Sequence, residues 1–255
     1  MRDTRDMLLV LLSSLLMLTG CSRRDILDDY PVSGVEISLD WNGVTNKLPE
    51  GVRVIFYPKN AEGRKIDTYL SVKGGKVKVP PGRYSVVVYN YDTETVQIRG
   101  EEAYETIEAF TGHCNGLGIA GTEQLVWGPD PLYVVRIDDL KIENSEEELQ
   151  LNWKPKLVVK TYSFKLKVQG LEYVSSIVGS IEGMSSCYDL GLGCGKAGDS
   201  PIYFAARGSA GEVTGSFTVF GTSEGVISRA GNAIKLTLAF VKTDNKVQKM
   251  EVDIT

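Results

Sequence analysis

Apolar residues fall on alternate positions through most of this 255-residue chain. That spacing confines the fold to β-strands with one buried face. Val35, Ile37, Leu39 and Trp41 alternate with Glu36, Ser38 and Asp40, and Tyr162, Phe164, Leu166 and Val168 alternate with Thr161, Ser163, Lys165 and Lys167. Val77 and Val79 alternate with lysines and run into Pro80-Pro81-Gly82. The fixed φ of proline and the permissive glycine predict a turn there, so residues 83–91 read as the second strand of a hairpin. This strand has Tyr84, Val86 and Val88 on one side and Val87, Tyr89 and Tyr91 on the other, the pattern of a central strand covered twice.

Further strands are expected at residues 53–57, 96–99, 132–137, 202–206, 213–220, 234–241 and 247–254, with Asp244-Asn245 turning between the last two. Val174, Ile177, Val178 and Ile181 recur at helical spacing, which predicts one short helix, and residues 101–110 suggest a second. Many short strands with Gly and Pro turns imply an all-β chain of two tandem antiparallel β-sandwich domains. The charged run from Glu143 to Glu148 lacks an apolar face. It places a boundary between an N-terminal domain at 35–148 and a C-terminal domain at 149–255, unless it is the exposed end of a strand. Each half is long enough for a core of its own.

The N-terminus follows a different rule. Arg2 and Arg5 precede an apolar run from Met7 to Leu18, and Thr19-Gly20-Cys21 comes directly after. A basic region, an apolar region and small residues in that order make a signal peptide, residues 1–20. The run is shorter than the roughly 20 residues a membrane-spanning helix needs, and no later segment reaches that length. Leu18-Thr19-Gly20-Cys21 resembles the lipobox of bacterial lipoproteins, in which the bond before the cysteine is cut and its thiol acylated. That resemblance makes Cys21 the lipidation site and the first mature residue. One acyl chain holds only marginally, at about 0.8 kcal/mol per buried methylene, so stable anchoring requires more than one. Residues 21–34, polar and without periodicity, then read as a tether that could extend on the order of 40 Å.

Composition and motifs exclude several functions. The chain has 28 Lys and Arg against 33 Asp and Glu. Losing Arg2, Arg5, Asp3 and Asp6 with the signal peptide leaves the balance of −5 unchanged. No basic tract remains to neutralise a phosphate backbone, so no nucleic-acid partner is expected. A single histidine excludes a multi-His metal site, and no metal or other cofactor is expected. His113 and Cys114 are neighbours, and neighbours on a strand point to opposite faces, so they cannot serve one substrate as base and nucleophile. Gly191-Leu192-Gly193-Cys194-Gly195-Lys196 looks like a phosphate loop but has Leu190 and Ala197 where such a loop requires Gly and Ser or Thr. No catalytic residue is therefore assigned. Three cysteines remain after acylation of Cys21. Cys187 and Cys194 flank a glycine-rich interval and could close a local disulfide, or could stay reduced. Trp127, next to the stiff Gly128-Pro129-Asp130-Pro131 segment, is a candidate ligand contact and could line a stacking surface with Tyr89 and Tyr91.

A set of segments in fixed order then points to a family. Cys21 followed by Arg24-Asp25-Ile26-Leu27, the strand from Val35 to Trp41, Gly51-Val52-Arg53-Val54-Ile55-Phe56-Tyr57-Pro58, Pro81-Gly82-Arg83-Tyr84 and Tyr89-Asn90-Tyr91-Asp92-Thr93-Glu94 resemble the fimbrillin-associated anchor and minor-subunit lipoproteins of the Bacteroidales. Ile181-Glu182-Gly183-Met184, Thr218-Val219-Phe220-Gly221 and Glu251-Val252-Asp253-Ile254-Thr255 extend the resemblance over most of the mature chain. It implies transthyretin-like sandwiches, an outer-membrane lipid anchor facing the cell surface, no enzymatic activity, and attachment or termination of a fimbria. Fimbrial subunits would be the partners, bound by strand pairing at open sheet edges. The chain differs from many members in having Tyr30 where a second cysteine stands, and in ending soon after the Glu251 strand. A glycan-binding surface lipoprotein without fimbrial assembly is the alternative reading.

Overall fold

The computed structural model describes residues 33–60, 63–114, 124–145, 147–196, 200–221 and 234–254. In the first half of the chain the strands are β1 (Ser33–Leu39), β2 (Gly51–Pro58), β3 (Ile66–Ser71), β4 (Gly74–Val79), β5 (Gly82–Asn90), β6 (Val96–Arg99), β7 (Glu108–Thr111), β8 (His113–Cys114), β9 (Leu125–Trp127) and β10 (Tyr133–Ile142). The second half adds β11 (Leu149–Trp153), β12 (Lys156–Leu157), β13 (Lys160–Lys167), β14 (Val174–Glu182), β15 (Cys187–Asp189), β16 (Cys194–Lys196), β17 (Ile202–Ser209), β18 (Glu212–Val219), β19 (Lys235–Lys242) and β20 (Val247–Asp253). A 3-10 turn at Leu171–Tyr173 is the only helical piece that joins them among the described residues. The all-β expectation holds.

The first sheet runs β11-β1-β4-β3-β2-β5-β10-β12. It folds on itself where β3 and β4 stay joined through a single residue pair, Ser71 with Gly74. Gly74 has φ +102°, and a Cβ there would sit 2.0 Å from the Ile37 carbonyl oxygen, so only glycine allows the corner to close against β1. The two layers enclose Val35, Ile37 and Leu39 of β1, Val77 and Val79 of β4, Val54 and Phe56 of β2, and Val86 and Val88 of β5.

This folding corrects the expected hairpin at Pro80-Pro81. β4 pairs with β1 and β3, whereas β5 pairs with β2 and β10, so the two-proline link crosses from one layer to the other. Proline has no N–H with which to extend a ladder, which suits an arch between layers better than a hairpin. The Tyr84 hydroxyl donates to the Pro80 carbonyl at 2.9 Å and braces the arch.

Strand β5 is covered twice, as its two-sided apolar pattern predicts. Its other face, with Val87 and Tyr89, packs with Ile55 and Tyr57 of β2 against a second sheet, β16-β15-β7-β6. That sheet takes two strands from each half of the chain. The third sheet runs β13-β18-β17-β14-β19-β20 around a core of Ile177, Ile181, Phe204, Phe217, Leu236, Leu238 and Phe240. Its β17–β18 hairpin turns at Ala210 and Gly211, both at positive φ. Asn245, at φ 64°, closes the β19–β20 turn expected at Asp244-Asn245.

Three further expectations are corrected. Residues 174–181 form β14 rather than a helix. Ile177 to Ile181 are all buried because β14 lies between β17 and β19, and continuous burial of β-branched residues imitates a helical period. Residues 101–106 form turns, with Thr106 N–H donating to the Ala103 carbonyl at 3.2 Å, and lead into β7 in place of the second helix. The sheets also do not divide at 148/149. β11 and β12 belong to the first sheet, and β11 pairs in parallel with β1 from Val35–Leu149 to Leu39–Trp153. In return β9 crosses to the third sheet and pairs in parallel with β17. The charged run at 143–148 is thus a connection between two strands of one sheet, held in part by Lys76 against Glu148 at 2.7 Å.

Candidate interaction surfaces

The expected site residues fall in separate places. Cys21, the signal peptide and the tether lie outside the described residues. Cys187 and Cys194 are free thiols, so the disulfide is corrected. In the β15–β16 hairpin Cys187 faces Lys196 and Cys194 faces Asp189, which makes the thiols diagonal neighbours. Diagonal positions are about 7–8 Å apart, wider than the roughly 4.4–6.8 Å between Cα atoms that a disulfide spans. Burial pushes the Cys187 and Cys114 thiols up, which keeps them in the unreactive protonated form. His113 is exposed and Cys114 buried on β8, the opposite-face arrangement their adjacency predicts.

Trp127 ends β9, is 43% exposed, and meets Tyr203 edge to face at 5.5 Å. The stacking surface expected from Trp127, Tyr89 and Tyr91 is not assembled. Tyr89 is 2% exposed, and its hydroxyl lies in a network around Arg53 beneath the second sheet. The Arg53 guanidinium grips both Asp67 oxygens, at 2.7 and 2.8 Å, and also reaches Glu101. These partners, Asp67 foremost, hold Arg53 above its ordinary range, and burial raises Tyr57 and Tyr89 alongside it. The cluster is locked in its resting charge state. Such fixity suits a brace rather than proton transfer.

A second buried charge cluster holds the β15–β16 hairpin on β7. Asp189 stands directly opposite Glu108, and the Lys196 ammonium bridges them at 3.1 and 2.7 Å. Arg99 takes the other Glu108 oxygen. No pattern in the sequence pointed to this pairing, since residue 108 meets 189 and 196 only across sheets built from both halves. Among the described residues no group of His, Cys, Asp and Glu is placed to hold a metal ion, and no helix is long and apolar enough to cross a membrane.

Sheet edges offer backbone groups to a partner strand. Strand β10 is bulged between Ile137 and Leu140 in its ladder with β5, and there Asp139 pairs with Arg83 and Asp138 with Tyr104 and Arg136. Bulges and charges of this kind block strand addition. Among the described residues the third sheet has two continuous edges: β13 pairs over all eight residues with β18 only, and β20 over seven with β19 only. Residues of β20 and β19 and of the connection from β13 to β14 line one cleft of about 570 Å3, with Val168, Leu171, Val174, Phe240 and Met250 on its apolar walls. Phe164, Leu166, Met250 and Val252 are only half covered along these strands.

Comparison with known proteins places the chain. A family of domains of unknown function, DUF5119, matches residues 20–205. The chain belongs to this family. Across 267 aligned residues, all of this chain and 80% of the relative, it is 62% identical to a Bacteroides ovatus protein named "Putative fimbrium anchoring subunit Fim4B". A crystal structure of a "putative adhesin" from Bacteroides ovatus matches with a TM-score of 0.82 at 60% identity, over 92% of this chain and 87% of that one. The fimbrial anchor protein Mfa2 of Porphyromonas gingivalis shares the fold at 11% identity, with a TM-score of 0.51 over 88% of this chain and 82% of its own.

Proposed function

We propose that this protein is a non-enzymatic cell-surface component that anchors or caps a fimbria, or joins it as a minor subunit, in cell adhesion. The observation that carries this reading is 62% identity over the whole chain to a relative named as a fimbrium anchoring subunit. Acyl chains on Cys21 hold the protein in the outer membrane and the polar tether sets its distance from it. A strand of a neighbouring fimbrial subunit pairs with the β20 edge of the third sheet, beside the cleft lined by Phe240 and Met250.

Two substitutions test the halves of this scheme separately. In the source bacterium, Cys21→Ala is expected to move the protein from the membrane fraction to the medium together with intact fimbriae. Unchanged sedimentation with membranes would contradict the lipid anchor. Met250→Lys puts a charge in the cleft wall. It is expected to leave membrane attachment intact while fimbrial subunits no longer co-purify with the protein, and full co-purification would exclude this edge as the docking site.

A further inference from the structure

The outer face of β2, β3 and β5 carries a patch that neither the cores nor the strand edges use. Tyr69 on β3 and Tyr91, directly after β5, are 60% and 46% exposed, and their rings meet edge to face at 5.3 Å and 79°. The central strand makes room for them. Gly51 lies beneath, and a Cβ there would come within 2.7 Å of the Tyr91 hydroxyl. Arg53, two residues on, stands 5.6 Å from the centre of the Tyr69 ring. The second sheet covers Ile55, Tyr57, Val87 and Tyr89 on this same face but stops short of the tyrosine pair.

The surroundings are polar and rigid. Asp67 is held by both of its oxygens on Arg53, yet its side chain is 26% exposed and retains acceptor capacity toward solvent. Asp92 is exposed next to Tyr91 and accepts from the Glu50 backbone N–H at 2.9 Å. With Asp67, Glu101 and Asp92 against Arg53, the patch is net negative. A protein partner would need about 800 Å2 per side around an apolar centre, far more than two rings bounded by charges provide. A corner of two crossed aromatic rings instead matches a single sugar ring, whose C–H face is drawn to the electron-rich ring face while its hydroxyls find fixed carboxylate acceptors at the rim.

We propose that Tyr69 and Tyr91 form a binding site for a terminal neutral hexopyranose of a glycan, with the Asp67 carboxylate, fixed by Arg53, accepting from its hydroxyls. The net negative charge excludes acidic sugars. This site uses neither Cys21 nor the cleft lined by Phe240 and Met250, so it does not depend on the fimbrial reading.

Saturation-transfer NMR and calorimetric titration of the full chain with lactose, cellobiose and sialyllactose test it. At least one neutral disaccharide is expected to bind with its ring protons saturated. Tyr69→Ala and Tyr91→Ala should each weaken it by up to about tenfold, the worth of one aromatic contact. Tyr69→Phe should keep most of the affinity, Trp127→Ala should leave it unchanged, and sialyllactose should bind more weakly than lactose. Both tyrosines are exposed, so unaltered circular dichroism is expected of the variants. Failure of both neutral sugars to bind, or binding that survives Tyr69→Ala and Tyr91→Ala in folded protein, overturns the proposal.

Discussion

Lys196→Ala is expected to destabilise the protein by roughly 3 kcal/mol, the lower end of the range for removing one partner of a buried ion pair. Asp189 is 1% exposed and Glu108 9%, and they face each other across β15 and β7. The ammonium between them cancels a repulsion that water cannot reach. The lower end applies because the Lys196 side chain is itself 40% exposed and Arg99 still serves Glu108. The urea midpoint of the variant should fall accordingly at neutral pH, whereas Lys196→Arg should lie near wild type. Adding Asp189→Asn and Glu108→Gln to Lys196→Ala should recover much of the loss, because the pocket then holds no unpaired charge. An unchanged midpoint for Lys196→Ala would mean that the cluster contributes nothing.

The same cluster sets a pH dependence. Burial alone would raise the Glu108 carboxyl, but its bonds to Lys196 and Arg99 outweigh that and hold it below the usual carboxylate range. A carboxyl depressed in the folded state contributes stability above its unfolded value, about 4.3, and loses it as pH falls through the folded one. Wild type should therefore weaken on acidification below about pH 4. In Lys196→Ala the gap to wild type should narrow as pH falls, since protonation relieves the exposed repulsion. Urea midpoints measured between pH 3 and pH 7 would show a constant gap if the cluster were not responsible.

Gly179→Val should be the most damaging single change in the third sheet. A Cβ at this position would lie 2.3 Å from the Phe204 ring and 2.9 Å from the Thr237 carbonyl oxygen. The ring has nowhere to go, for it is packed against Phe164 at 5.6 Å and Phe217 at 5.4 Å. Over-filling a tight core costs about 1–3 kcal/mol, and valine should reach the top of that range because the backbone of β19 would have to shift as well. Thermal unfolding should show a lower midpoint than wild type, with Gly179→Ala intermediate. Combining Gly179→Ala with Phe204→Leu should cost less than the two changes added separately. Strict additivity would indicate that the ring is not what excludes a side chain at 179.

Local pattern read some parts of this fold well and others badly. Strands whose faces differ in polarity, such as β1, β13 and β20, were legible because alternation encodes one-sided burial directly. Strand β5 was legible for the opposite reason, since apolar residues on both sides announce two coverings. Strand β14 was not: Val174, Ile177, Val178 and Ile181 recur at helical spacing, and only the position of β14 between β17 and β19 explains why five consecutive residues are buried. The Pro80-Pro81 link was read as a hairpin because turn chemistry reports that the chain changes direction, not which strand it meets next. The Glu108–Asp189–Lys196 cluster and the Tyr69–Tyr91 pair lay beyond local reading, as each forms only when strands distant in sequence come side by side.

The amino-acid order by itself determined that the described chain is built of strands, where most of them run, and that no motif for phosphate, nucleic-acid or multi-histidine metal chemistry is present. These properties depend on the character of neighbours one to four positions apart, which the order records. Only the tertiary structure decided that β9 and the β15–β16 hairpin cross between sheets, that Cys187 and Cys194 stay apart, and that β13 and β20 stand at the two ends of the third sheet's strand order among the described residues. Those outcomes depend on which strands pair at long range, and a pairing is selected by the fit of whole faces to each other rather than by the residues of either strand alone.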